Sequence, residues 1–222
     1  MDTIRLIEIR EDILSDNQTL ASELKADLKN RKTFLLNLMS SPGSGKTSLI
    51  LKTIEKLKGK FRIGVLEADI DSMVDAEKVA STGVQAVQLK TGGFCHLDAS
   101  MVKAGLDAFD LDSLDLIIIE NVGNLVCPAE FDTGAIRNAM ILSVPEGDDK
   151  PLKYPLMFSV CNVLVVNKID YLASSDFDMQ AMKERVKKLN PGIAILEVSS
   201  KTGVGIDEWA GWLEGEVAAF IR

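Results

Sequence analysis

The stretch "TFLLNLMSSPGSGKTSLILKTIEKLK", residues 33–58, constrains the fold more than any other part of the chain. Its near-continuous apolar start reads as a strand buried on both faces, as in a parallel sheet. A Gly/Ser loop follows, then apolar residues at helical spacing. Strand, glycine turn and helix together make a phosphate cradle. Gly43 and Gly45 let successive N–H groups face one anion, and the helix adds its positive N-terminal end. Within "SSPGSGKT", Lys46 can reach β- and γ-phosphates and the Thr47 hydroxyl can ligate Mg²⁺. The predicted nucleotide contacts here are Gly43, Ser44, Gly45, Lys46, Thr47 and Ser48. Ser40 stands where the strict pattern has glycine, so the backbone there is the open point of the match. The alternative is a Gly/Ser-rich turn with no ligand.

Six further runs read as strands: 62–69 and 84–90, and the buried-looking 115–120, 139–144, 162–168 and 193–199. Helical patterns separate several of them: residues 73–82, a face marked by Leu97, Met101, Ala104, Ala108 and Phe109, residues 176–190, and residues 205–221. Strands alternating with helices imply right-handed crossovers and a mostly parallel sheet covered on both faces. The expected class is a P-loop NTPase three-layer α/β/α fold. Leu20, Leu24 and Leu28 mark an amphipathic helix over 11–31, so residues 1–32 read as an N-terminal helix packed on a phosphate-loop domain at 33–222.

Composition bounds the partners. The 222 residues are 46% hydrophobic but only 5% aromatic, so aliphatic residues build the core. A net charge of −8 argues against nucleic acid, which requires a Lys/Arg excess. No apolar run approaches the ~18 residues of a membrane helix, and "MDTIRLIEIRED" lacks the features of a signal peptide. The expectation is a cytoplasmic protein with neither membrane nor nucleic acid as partner.

The base and the switch are read from two strand ends. "NKID", residues 167–170, follows an apolar strand. The Asp170 carboxylate can accept from both N1–H and the 2-amino group of guanine, donors that adenine lacks. Asn167 can hold the base edge and the phosphate loop, and the Lys168 stem can lie over the base. Ser199, Ser200 and Lys201 can line the other side. GTP is therefore favoured over ATP, each motif alone being compatible with an ordinary strand-end turn. In "IIIENVGNL", residues 117–125, Glu120 ends a strand and Gly123 follows. A carboxylate there can orient Mg²⁺ and the glycine N–H can sense the γ-phosphate. Lys46, Asp69, Asp75 and Glu120 are the catalytic candidates, and Thr47, Asp69 and Glu120 the Mg²⁺ candidates. Asp75 has a helix-capping alternative. Nothing announces a general base or an arginine finger, so slow intrinsic hydrolysis is expected.

The chain has three cysteines and one histidine. Cys95–His96 lie between the third strand and its helix, where a helix N-terminus favours a thiolate. Cys127 follows Gly123 by four residues. In a parallel sheet both segments leave strand ends on the same side, so the three can meet and bind a metal ion. Structural zinc takes four ligands. Asp98 or a second subunit is a possible source of the rest, and Asp98 also suits dipole compensation. A buried Cys beside a half-exposed His is the alternative. Cys161 reads as core.

Together, "SSPGSGKT", "TGGFCHLDA", "IENVGNLVCPAEFD", "EGDDKPLKYP" and "NKID" resemble the HypB family, the nickel-incorporation GTPases of [NiFe]-hydrogenase maturation. The resemblance spans about residues 33–213. It implies a dimeric-type GTPase delivering nickel to a hydrogenase large-subunit precursor, alongside other maturation proteins. It also implies a nickel or zinc site at the dimer interface that matches Cys95, His96 and Cys127. Some relatives carry an N-terminal Cys-rich motif or a His-rich tail. With its first cysteine at residue 95, this chain resembles the short type. The competing readings are a metal-storage module with an incidental nucleotide, a signalling GTPase with structural Cys and His, and a nickel chaperone for another enzyme such as urease.

Overall fold

Every residue of β1 (Phe34–Ser40) is buried, and its side chains part to opposite faces. Phe34, Leu36 and Leu38 join one apolar cluster, and Leu35 and Met39 join two others. That partition is why the apolar run lacks the alternation of a half-exposed strand. The computed structural model describes residues 9–69 and 74–222, with the backbone alone for 9–13 and 74. Residues 1–8 and 70–73 lie outside the described residues, and with them Met73, the predicted start of the helix over 73–82.

After β1 the chain runs through α2 (Lys46–Leu57), β2 (Ile63–Asp69), α3 (Val74–Ala80), β3 (Gln85–Lys90) and α4 (Ala99–Leu106). Then come β4 (Leu116–Glu120), β5 (Arg137–Ser143), the short α5 (Lys150–Lys153) and α6 (Pro155–Val160), β6 (Val163–Asn167), α7 (Met179–Leu189), β7 (Ala194–Glu197) and α8 (Ile206–Ile221). An N-terminal helix, α1 (Ile9–Arg31), precedes them. Among the described residues the seven strands form one sheet in the order β3-β2-β4-β1-β5-β6-β7. Every pairing is parallel.

One face is covered by α2 and α8, with Leu49, Ile54, Trp209 and Leu213 in its core. The buried Trp209 indole donates to Thr53 Oγ1 at 2.8 Å, tying the two helices together. The other face has two pockets of core. Leu24 and Leu28 of α1 and Val102 and Leu106 of α4 cover β2 and β4. Phe158 of α6 and Met182 and Val186 of α7 cover β5 and β6. Among the described residues no helix is long and apolar enough to cross a membrane.

Two local expectations are corrected. The helical face predicted after His96 is shorter and turned. α4 stops at Leu106, Ala104 and Ala108 are exposed, and Val102, Gly105 and Leu106 are buried instead. The cause is the close approach of α4 to β2, since a Cβ on Gly105 would lie 2.7 Å from Leu66. β5 starts at Arg137 rather than 139 because its polar first residues are partnered: Arg137 Nε donates to Glu216 at 2.7 Å, and Asn138 accepts from Asn37 at 3.1 Å. Asn37 in turn accepts from Asn121 at 3.0 Å. This amide ladder crosses the sheet centre and pins the residue after Glu120.

β1 lies between β4 and β5, where the chain's crossovers change direction, and such a point opens a crevice at the carboxyl ends of strands. Ser40, Asp69, Glu120 and Asn167 all sit on that edge.

Candidate functional site

The phosphate loop is built as its glycines require. Gly43 and Gly45 take left-handed φ angles of +74° and +103°, conformations that other residues adopt at a cost. Gly45 is doubly constrained, because a Cβ there would lie 2.5 Å from Asn167 Nδ2. Ser40 does not have a positive φ, so glycine is not needed at that position. Its buried hydroxyl accepts from Ser44 Oγ at 2.5 Å and from Lys46 Nζ at 3.0 Å. Burial pulls the Lys46 ammonium below its ordinary value, and the charges of Glu120 and Glu67 oppose that shift. Ser41 bonds Glu146, whose other oxygen accepts from the Ser143 N–H at 2.7 Å, so the loop is tied to the end of β5.

The loop floors a cavity of about 440 Å³ that Lys46, Thr47, Glu67, Asp69, Asp75 and Glu120 line. Thr47 Oγ1 donates to Glu120 Oε1 at 2.9 Å. Glu67 stands directly across from Glu120 in the β2–β4 register, and the two carboxyls hydrogen-bond. Burial first, then the Glu120 charge and this bond, push the Glu67 carboxyl up to about 9. Burial also raises Glu120, against the pull of Lys46, Thr47 and Glu67. Glu67 Oε1 and Glu120 Oε2 are buried without hydrogen-bond partners among the described residues, a state that buried polar atoms rarely keep. Sequence reading missed Glu67. The available signal was a carboxylate inside the apolar run "IGVLEAD", two residues before Asp69.

Asp69 is exposed at the end of β2. Asp75 lies inside the first turn of α3 rather than at its cap, and its carboxylate pairs with Lys78 at 2.9 Å. Gly123 is explained by contact: a Cβ would lie 2.9 Å from Pro42 Cγ and 3.0 Å from Pro42 N. The loop after β4 is thus packed directly on the phosphate loop.

Gly45 and Ser48 also wall a second cavity of about 370 Å³, shared with Asn167, Lys168, Asp170, Tyr171, Ser200 and Lys201. Asn167 Nδ2 donates to Ser44 O at 3.0 Å, and its Oδ1 accepts from Ser200 N at 3.1 Å. Lys168 holds a left-handed φ of +61° and its ammonium donates to Gly43 O at 2.6 Å. Such backbone strain in a non-glycine residue gathers at binding sites. Asp170 Oδ1 accepts from Ser199 Oγ at 2.7 Å. One hydrogen-bond set therefore joins the base-binding candidates to the phosphate loop.

At the neighbouring corner, Cys95, His96 and Cys127 bring their ligand atoms within 4.8 Å of one another. The two sulfurs are 3.2 Å apart. Burial lowers the His96 imidazole, opposed by Asp98 and Glu130, which favours the neutral ring that ligates metals. Its Nδ1 is buried and has no hydrogen-bond partner among the described residues. The Cys127 thiol is raised by its bond with Cys95 and by burial. Asp98 is not part of the cluster: it caps α4, accepting from Met101 N and Ser100 Oγ at 2.8 Å each. Cys95 precedes that cap by three residues, so it does not occupy the helix terminus. Cys161 is buried under β6, and burial pushes its thiol up.

Residues 34–197 match the family model "CobW/HypB/UreG, nucleotide-binding domain". The hydrogenase maturation factor HypB of Azotobacter chroococcum is 46% identical over 220 residues, covering 98% of this chain and 72% of that protein. The chain belongs to the HypB family of hydrogenase maturation factors. HypB proteins are P-loop GTPases, so this HypB chain is a hydrolase acting on GTP. Solved structures agree. HypB from Helicobacter pylori in complex with nickel superposes with a TM-score of 0.87 at 38% identity, over 93% of this chain and 97% of that one. HypB from Archaeoglobus fulgidus gives 0.86 at 39% identity, over 92% and 100%.

Proposed function

We propose that this HypB chain is a metallochaperone whose GTPase cycle controls nickel held by Cys95, His96 and Cys127 for delivery to a hydrogenase precursor. The observation that carries the reading is the shared loop. Residues 120–127 contain Glu120, bonded to Thr47 of the phosphate loop, Gly123, packed on Pro42, and Cys127, touching Cys95. A γ-phosphate that shifts this loop must shift one metal ligand.

Residues 33–222 serve as the GTPase domain, with α1 (Ile9–Arg31) appended to it, residues 1–8 lying outside the described residues. Gly43 to Ser48 hold the phosphates, and Asn167, Lys168, Asp170, Ser199, Ser200 and Lys201 hold guanine. Thr47, Asp69 and Glu120 are the residues that would hold Mg²⁺, which supplies neutralisation of phosphate charge when bound. The orphaned oxygens of Glu120 and Glu67 fit that role. Lys46 neutralises the leaving phosphate charge, and Asp75 stands at the cavity rim to orient water. Three ligands leave a metal under-coordinated in one chain, which supports a homodimer that completes the site. Nickel is preferred to zinc because the Helicobacter pylori HypB structure holds nickel. The reading places the protein in the cytoplasm with other maturation proteins.

The test is nickel and zinc titration of the purified protein with GDP and with a non-hydrolysable GTP analogue. Different metal affinities in the two states, lost in Cys127→Ala, are the expected outcome. Equal affinities refute the coupling.

A further inference from the structure

α1 touches both segments that carry the metal ligands. Asn17, half-buried on this helix, uses both ends of its amide. Its Oδ1 accepts from the Ala99 N–H at 2.8 Å, and its Nδ2 donates to the Asp132 carbonyl at 2.9 Å. Ala99 opens α4, three residues after His96, and its N–H is one of the donors that a helix start leaves without an internal partner. Asp132 lies five residues after Cys127. Between them, Phe131 stacks on the His96 ring, with centroids 4.0 Å apart and planes at 18°. One side chain therefore bridges the 95–99 segment to the 127–132 segment.

The seat of α1 on these segments is tight. Lys25 pairs with Asp132 at 2.5 Å, and Asp132 Oδ1 accepts from Gly134 N at 2.9 Å. Gly134 has a φ of +76°, and a Cβ there would lie 2.6 Å from Leu24. Leu24 and Leu28 share a core cluster with Leu97, next to His96, and with Val122 and Ala135. The helix cannot shift without moving the loop.

We infer that Asn17 is a positioning residue of the metal site: its two hydrogen bonds set the separation of His96 from Cys127 before metal arrives. The inference rests on the reading that Cys95, His96 and Cys127 bind a thiophilic divalent cation. Partners that orient metal ligands from outside the ligand set are worth roughly 10–100-fold in affinity. Asn17 acts on the backbone of both ligand segments, and Phe131 carries that constraint to the imidazole.

The experiment titrates nickel and zinc into the GDP-bound 222-residue chain against a competing chromophoric chelator. It also records the thiolate-to-nickel charge-transfer band, GDP affinity and the thermal midpoint. Asn17→Leu removes both bonds and is expected to weaken metal binding about tenfold or more, to shift the band, and to leave GDP affinity unchanged. Asn17→Asp keeps the acceptor for Ala99 but sets a carboxylate against the Asp132 carbonyl, and a smaller loss is expected. Lys60→Met, which removes an exposed ion pair to Glu214 that involves neither α1 nor the two ligand segments, should bind metal as wild type does. Wild-type affinity and band in Asn17→Leu overturn the inference whatever happens to the thermal midpoint, and the same result in Asn17→Asp does so if the leucine variant fails to fold. If Cys127→Ala also keeps wild-type affinity, the triad reading falls with it. If Cys127→Ala loses metal while both Asn17 variants keep it, the positioning role alone is refuted.

Discussion

The phosphate loop and the Cys95–His96–Cys127 corner lie on the same edge of the sheet, but their parts stand at very different distances along the chain. The loop is eight consecutive residues, and its geometry follows from two glycines with left-handed φ angles. The corner draws its ligands from two segments, with its supports on α1 at Asn17 and in the loop at Phe131 and Asn124. A contiguous motif carries its own backbone constraints. An assembled one depends on every element that holds its segments in register, so the two should respond to substitution independently unless the 120–127 loop couples them.

The strongest way to break that comparison is Lys46→Ala. Removing a charge that stabilises the transferring phosphate is expected to cut kcat for GTP by roughly 10²–10³. Metal affinity in the GDP state, measured in the same preparation, should stay at wild type. A parallel loss of metal would mean that the corner is not independently built. His96→Ala is the reverse cut: metal affinity should fall beyond the ~10–100-fold that loss of a supporting partner costs, with GTP turnover unchanged. Asp170→Ala comes next. Losing a charged hydrogen-bond acceptor costs about 1.5–3 kcal/mol, so GTP affinity should fall ten- to a hundredfold while ATP affinity stays as weak as before. An equal effect on both nucleotides would remove Asp170 from base selection.

The smallest effect sharpens the phosphate side. In the nucleotide-free protein the Glu67 carboxyl, pushed up to about 9, keeps a proton that an unfolded glutamate with an ordinary value of 4.5 has already released. Between those two values the folded state binds more protons than the unfolded one. Stability from this group is therefore full below pH ~4.5 and is lost as pH rises toward 9. The thermal midpoint of nucleotide-free protein should fall with pH more steeply in wild type than in Glu67→Gln. Parallel curves would show that no such proton is held.

All seven strands were legible in the chain: β1, β4 and β6 because a strand buried on both faces is apolar along its whole length, and the edge strand β3, half-exposed along its length, because its apolar residues are interleaved with Gln85 and Gln88. Errors gathered where polar residues satisfy each other inside the fold. Arg137 and Asn138 extend β5 because Glu216 and Asn37 receive them, and neither partner is near in sequence. α5 and α6 went unread because Pro151 and Pro155 look like breaks, although each sits within the first two residues of its helix, where a missing N–H costs nothing. The candidate nucleotide residues were readable since local spacing specifies them. Glu67 was not, because its meaning depends on facing Glu120 across a strand pair.

The sequence by itself determined the parallel α/β architecture and the phosphate-loop motif, and it marked the candidate base-binding strand end and the three metal-ligand candidates, since each rests on residue type and local spacing. Only the tertiary structure decided that Glu67 faces Glu120 across a strand pair, that Asp98 caps a helix instead of joining the ligand candidates, and that Asn17 of α1 bonds both the Ala99 N–H and the Asp132 carbonyl. Those outcomes depend on which distant groups are left without other partners once the chain is packed. In a dry interior each polar group is either matched or costly, and the matching is known only when the neighbours are.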